Sequence, residues 1–245
     1  MHRISKYLNL ALSIPVLLLT FPVQAESNST TSNPSFPKQI QFIPPKDGKT
    51  PNTVGAGTRN PNELRCSPEE EQITALMPKG NYGLTLQDRP SIFVYLPQTV
   101  AKQVVLAIQD ETEAYHEIAF LPITKHDQIV SFTLPEDKPS LTPGTYYKWK
   151  LTLVCGDIPN VEDPKLEGWL KHIDRNSLPM EMSPTDAISL GARHSVIAKM
   201  NWYSQNGYWY DLLLQLETAQ KANPDDPQIA SIWQDLLQKV QSGEI

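Results

Sequence analysis

Leu141-Thr142-Pro143-Gly144-Thr145-Tyr146-Tyr147-Lys148-Trp149 is the stretch whose reading decides the fold. Pro143-Gly144 is a turn signal. Alternation begins directly after it. Trp149, Leu151 and Leu153 fall on one side of an extended chain, and Lys148, Lys150 and Thr152 on the other. That pattern predicts a strand over 146–155 with one face in a core. Cys155 is in phase with the Trp149 face.

Short apolar runs, several with period two, continue outward from this strand between Glu71 and Ile173. They predict further strands over 72–77, 91–96, 103–109, 116–121, 128–134 and 167–173. Turn signals separate many of them, among them Pro78-Lys79-Gly80-Asn81, Gln87-Asp88-Arg89-Pro90 and Pro135 to Pro139. Gln109-Asp110-Glu111-Thr112-Glu113 reads as a polar hairpin loop. Strands at this spacing, with no helical period between them, predict an antiparallel β-sandwich over 65–180.

The opening stretch resembles the E–F corner of fibronectin type III and related immunoglobulin-like domains. There a Leu, a Pro-Gly turn and a Tyr six positions after the Leu form a tyrosine corner, whose hydroxyl bonds back to the backbone. Leu141 and Tyr147 match that spacing. The resemblance implies an immunoglobulin-like sandwich. Cys66 departs from it, because it precedes the first predicted strand and leaves the strand order open.

From Ser183 the period becomes helical. Ser183-Pro184-Thr185-Asp186 fits a capping-box variant with Pro at the first helical position. The predicted helix runs to Gln205 and stops at Asn206-Gly207. A second, 208–222, carries Trp209, Leu212, Leu213 and Leu216 on one face and ends at Asn223-Pro224. A third follows Asp226-Pro227, with Ile229, Ile232, Trp233, Leu236, Leu237 and Val240 at helical spacing. This mainly β chain with a C-terminal α region, 181–245, resembles a three-helix tetratricopeptide-like hairpin. Leu212 and Leu213 are bulkier than that family prefers. Stacking needs about three repeats, so these helices must bury their apolar faces on the sandwich or on a partner.

Residues 1–25 have the pattern of a secretory signal peptide: Arg3 and Lys6, an apolar run from Leu8 to Val23, and a small-residue cleavage site at Ala25. The alternative is an N-terminal membrane anchor. Cleavage near Ala25 implies a periplasmic or secreted protein. Residues 26–64, rich in Ser, Thr, Asn and Pro, read as a linker, in which Ile40-Gln41-Phe42-Ile43 has the composition of an edge strand.

Without Arg3 and Lys6 the 21 Lys+Arg fall to 19 against 27 Asp+Glu, a net charge of −8. An acidic chain is a poor candidate for nucleic acid or an anionic membrane surface. No later apolar stretch is long enough to cross a bilayer. In an oxidising compartment Cys66 and Cys155 read first as one disulfide. Closing it would constrain the unfolded chain by about 4–5 kcal/mol. The alternative is two buried thiols.

No catalytic signature stands out. Gly55-Ala56-Gly57-Thr58-Arg59 lacks the strand and helix of a phosphate loop and reads as a turn. His116, His126, His172 and His194 are not spaced as a zinc set. Ser195 beside His194 lacks a nucleophile elbow. Glu69-Glu70-Glu71 lacks the alternation and Gly of a calcium loop. No metal or cofactor is expected. Trp202, Tyr203, Tyr208, Trp209 and Tyr210 cluster around Gly207, either as core or as a partner groove.

Thr53 to Arg59, Ile73 to Pro78, Pro90 to Pro97, Tyr147-Lys148-Trp149 with Cys155, Glu167-Gly168-Trp169-Leu170 and Gly207 to Asp211 together resemble a secreted cyanobacterial family, catalogued as domain of unknown function 928. The resemblance implies export and supplies no reaction. The expectation is a non-enzymatic, periplasmic binding protein. Its partner would be another envelope or periplasmic protein, with Trp202, Tyr203, Tyr208, Trp209 and Tyr210 as candidate contacts. The alternative is a hydrolase with a site between sandwich and helices, using Glu167 and His172.

Overall fold

Two sheets face each other across the residues that the alternation placed inward. The computed structural model describes residues 40–46, 66, 73–125, 128–178 and 192–245, within one unit from Phe36 to Ile245. Among these are eight strands: β1 (Thr74–Ala75), β2 (Tyr82–Thr85), β3 (Ser91–Leu96), β4 (Gln103–Asp110), β5 (Tyr115–Pro122), β6 (Gln128–Thr133), β7 (Tyr146–Val154) and β8 (Lys165–His172). Three α-helices follow: α1 (Ala192–Gln205), α2 (Trp209–Ala222) and α3 (Pro227–Ser242). The predicted start of the first helix at Ser183, Gly55 to Arg59, Glu69 to Glu71, His126 and the leader lie outside the described residues.

The small sheet has the order β1-β3-β6 and the large one β2-β8-β7-β4-β5. Val104, Leu106, Trp149, Leu151, Leu153 and Leu170 are all but inaccessible and come from alternate positions of three adjacent strands, as a one-sided strand pattern requires. β3 is buried along most of its length, because the helical layer covers it through α2 as well.

Two expectations need correction. β2 was not predicted, and it pairs parallel with β8, Tyr82 opposite Trp169 and Thr85 opposite His172; every other pairing is antiparallel. β2 is only four residues long and contains Gly83, which leaves no period to read. That glycine serves close packing: a Cβ there would lie 2.5 Å from Cβ of Trp209, so α2 can rest on β2 only because the side chain is missing. Ile40 to Ile43 is not a strand. Ile40 and Phe42 are buried, Phe42 stands edge-on to Trp209 at 4.8 Å, and Ile43 donates its N–H to the Ser204 carbonyl at 2.8 Å. The segment pairs with a helix end instead of a sheet edge.

The corner before β7 is as its spacing predicts. The Thr142 N–H donates to the Tyr147 hydroxyl at 3.0 Å, Leu141 and Tyr147 are both buried, and Gly144 has φ 83°. His172 ties the corner to β8: its Nδ1 lies 3.0 Å from the Leu141 carbonyl and its Nε2 3.3 Å from Asp88 Oδ1. Cys66 and Cys155 form a disulfide with Cα atoms 5.1 Å apart.

Candidate functional site

The aromatic turn is interior. Tyr203, Tyr208, Trp209 and Tyr210 are buried, and Trp202 is half-buried. Trp202 stacks on Tyr208 at 5.1 Å and meets Tyr203 edge-on at 5.6 Å. Trp209 donates its indole N–H to the Leu76 carbonyl at 2.8 Å. Trp149 donates its own to the Tyr210 hydroxyl at 2.7 Å, which in turn donates to the Trp169 carbonyl at 2.9 Å. Both indole donors and this phenol are thus satisfied away from water. The expected partner face is a packing core because α2 is pressed onto Gly83 and draws these rings inward.

Glu167 and His172, the hydrolase pair, do not come together. Residues 166, 168, 170 and 172 of β8 are buried while 167 stands on the other face. Glu167 pairs there with Lys148 at 2.8 Å. Among the described residues no group of three or more His, Cys, Asp or Glu could hold a metal ion, and no helix is long and apolar enough to cross a membrane.

The described residues do form a groove of about 710 Å³ between β6 and the helices α2 and α3. Ile129 and Phe132 on β6 and Trp233 and Leu237 on α3 supply apolar walls, with Ser131 and Glu217 between them. Ser131 donates to Glu217 Oε1 at 3.2 Å, and Lys221 lies 2.9 Å from the same oxygen. Among the described residues β6 ends the order of the small sheet. Trp233 is 6% exposed, and its indole nitrogen is buried without a hydrogen-bond partner. An orphaned buried donor costs about 1–3 kcal/mol, here a cost of packing α3, because that nitrogen has no exposed surface. Lys125, Gln128, Gln220 and Gln234 also line it, so apolar walls and hydrogen-bonding groups face the same space, the two ingredients of a binding site.

A family model described as Domain of Unknown Function (DUF928) matches residues 54–245. The chain belongs to the DUF928 family. No curated protein matches it significantly. The DUF928 region takes in both walls of the groove and the whole aromatic turn.

Two features of this DUF928 chain escaped the sequence reading. One is the groove, whose walls lie far apart in sequence. The other is Asp211, a carboxylate 1% exposed. It accepts from Leu86 N–H and Gln87 Nε2, each at 2.9 Å, and so ties the loop after β2 to α2. Burial pushes its pKa above the usual carboxylate value, against the pull of Gln87 and Leu86. Burial also pushes Tyr208 up to about 12, with the Asp211 charge adding to the effect. A polar residue beside the apolar stripe of Trp209, Leu212, Leu213 and Leu216 was the one available signal for Asp211.

Proposed function

We propose that this protein is an exported, non-enzymatic binding protein of the cell envelope, and that the groove beside β6 takes an extended segment of another envelope or periplasmic protein. The observation that carries this reading is the groove itself, walled by Ile129, Phe132, Trp233 and Leu237 beside β6, which ends the order of the small sheet among the described residues. An extended peptide offers apolar side chains for these walls and a row of main-chain groups for the strand edge. Export is supported by the leader pattern of residues 1–25 and by the Cys66–Cys155 bridge, which an oxidising compartment maintains.

The immunoglobulin-like reading draws support from the tyrosine-corner bond and from the orders β1-β3-β6 and β8-β7-β4-β5, which correspond to A-B-E and G-F-C-C′. Trp149 then stands two residues after the corner Tyr, where antibody domains carry a cysteine. The tetratricopeptide likeness draws support from the packing of α1 against α2, with the turn at Asn206-Gly207 between them.

The test is a random peptide library panned against the full processed chain. Enriched extended peptides should bind roughly tenfold more weakly to Ser131→Lys, which sets a long charged side chain in the groove. Absence of enrichment, or binding indifferent to Ser131→Lys, rejects the groove. N-terminal sequencing of the exported chain should begin at Glu26; a retained Met1 rejects cleavage.

A further inference from the structure

Natural sheets guard their open edges with lysine, proline, bulges or a covering element, because an unpaired row of N–H and C=O groups accepts another strand. β5 ends the order of the large sheet. Its eight residues, Tyr-His-Glu-Ile-Ala-Phe-Leu-Pro, contain no lysine, and the proline comes last. Its irregularity against β4 lies at Ile108/Gln109, before the stretch from Ile118 onward.

This edge is also apolar. Tyr115 is 61% exposed, Ile118 40% and Phe120 57%. Their partners across the ladder are Gln109, Ala107 and Val105, which places all three on the sheet face away from the core. Glu117, the one carboxylate within the strand, is paired with Lys138 at 3.2 Å.

The two ends of β5 differ in charge. The hairpin before it holds Asp110, Glu111 and Glu113. After it come Lys125 and, beside Ile123, Lys102, whose carbonyl accepts the Ile123 N–H at 2.8 Å. An antiparallel neighbour of the same sequence sets each acidic hairpin next to the other copy's lysines. A parallel neighbour would set like beside like.

We propose that β5 pairs antiparallel with β5 of a second copy of this chain, joining two five-stranded sheets across a two-fold axis. A register centred on Ala119 puts Ile118 opposite Phe120 of the second copy, and symmetry makes that apolar contact twice. Edge pairing covers the main chain and only the flanks of these side chains, so it buries less than the roughly 1,000 Å² that a stable interface clears. The dimer is therefore weak, with a dissociation constant in roughly the micromolar range. The interface reaches the rim of the groove at β6, because Pro122 and Lys125 also line it.

Sedimentation velocity of the full processed chain across the micromolar range tests this. The wild-type chain should pass from monomer to dimer. Phe120→Lys, at an exposed position, should raise the dissociation constant at least about tenfold without moving the melting temperature. Lys125→Glu should weaken the dimer, and adding Glu113→Lys should restore it. A monomer at every concentration, or a dimer indifferent to Phe120→Lys, overturns the proposal; loss in Lys125→Glu without rescue overturns its antiparallel sense.

Discussion

Trp149 in β7 donates its indole N–H to the hydroxyl of Tyr210 in α2 across 2.7 Å, and both residues are buried. One hydrogen bond thus joins the middle of the large sheet to the helical layer. Burial pushes the Tyr210 phenol far above its ordinary value, so the bond keeps its polarity wherever the protein is folded.

Tyr210→Phe removes that acceptor and leaves the Trp149 donor stranded. The expected loss is about 1–3 kcal/mol, read as a lower melting temperature. Combined with Trp149→Phe, the loss should be smaller than the two single effects added together. A Tyr210→Phe chain that melts like the wild type means that the indole finds another acceptor.

Asp211 makes stability depend on pH. Its folded pKa lies above its unfolded one, so the folded chain holds the proton more tightly. The wild type should therefore lose stability relative to Asp211→Asn as pH rises from below 3.8, the ordinary value of an aspartate, through the raised folded value, and change no further above it. Urea unfolding of both chains over that window measures the difference. A wild type that gains on Asp211→Asn as pH rises reverses the sign and rejects a burial-dominated carboxylate.

Gly168 forms the wall against which Trp149 lies. A Cβ at position 168 would meet the indole at 2.5 Å, and Trp149 is sealed on its other sides. Gly168→Ala should cost about 1–3 kcal/mol through forced repacking, with the Trp149 fluorescence displaced. A neutral melt would show that the ring has room to shift.

The Cys66–Cys155 bridge should leave no free thiol in the denatured, unreduced chain. Reduction, or paired Cys→Ser substitution, should lower stability by up to about 4–5 kcal/mol. Two titratable thiols, or a melting temperature unmoved by reduction, rejects a stabilising bridge.

Much of this architecture was legible wherever one face of an element is wet. The strand read over 146–155 matches β7 to within a residue, and the helix read over 208–222 matches α2 to within a residue. Alternation and helical spacing carry that information because burial has only one side to satisfy. β2 was illegible for the opposite reason: its inward positions are Gly83 and Thr85, so closeness to Trp209, and not hydrophobicity, is what it contributes. The same holds for Trp202 to Tyr210. Their number was plain, but whether a cluster of rings faces outward depends on how near a second layer approaches, and Gly83 sets that distance. The Trp233 groove needs β6 and α3 side by side, a relation that no local pattern encodes.

The parallel pairing of β2 with β8 sets an order of assembly. A chain delivered N-terminus first presents β2 early and β8 late, so β2 waits unpaired while β4 and β5, then β3 and β6, then β7, find antiparallel neighbours. Only when residues 165–172 emerge can the large sheet accept its last strand, and only then does Gly83 offer Trp209 a seat. Pairings between such distant segments are slow to form. A chain interrupted before β8 would therefore hold a half-built sheet and no platform for its helices, which makes the interval between β2 and β8 the period in which this protein most needs a chaperone.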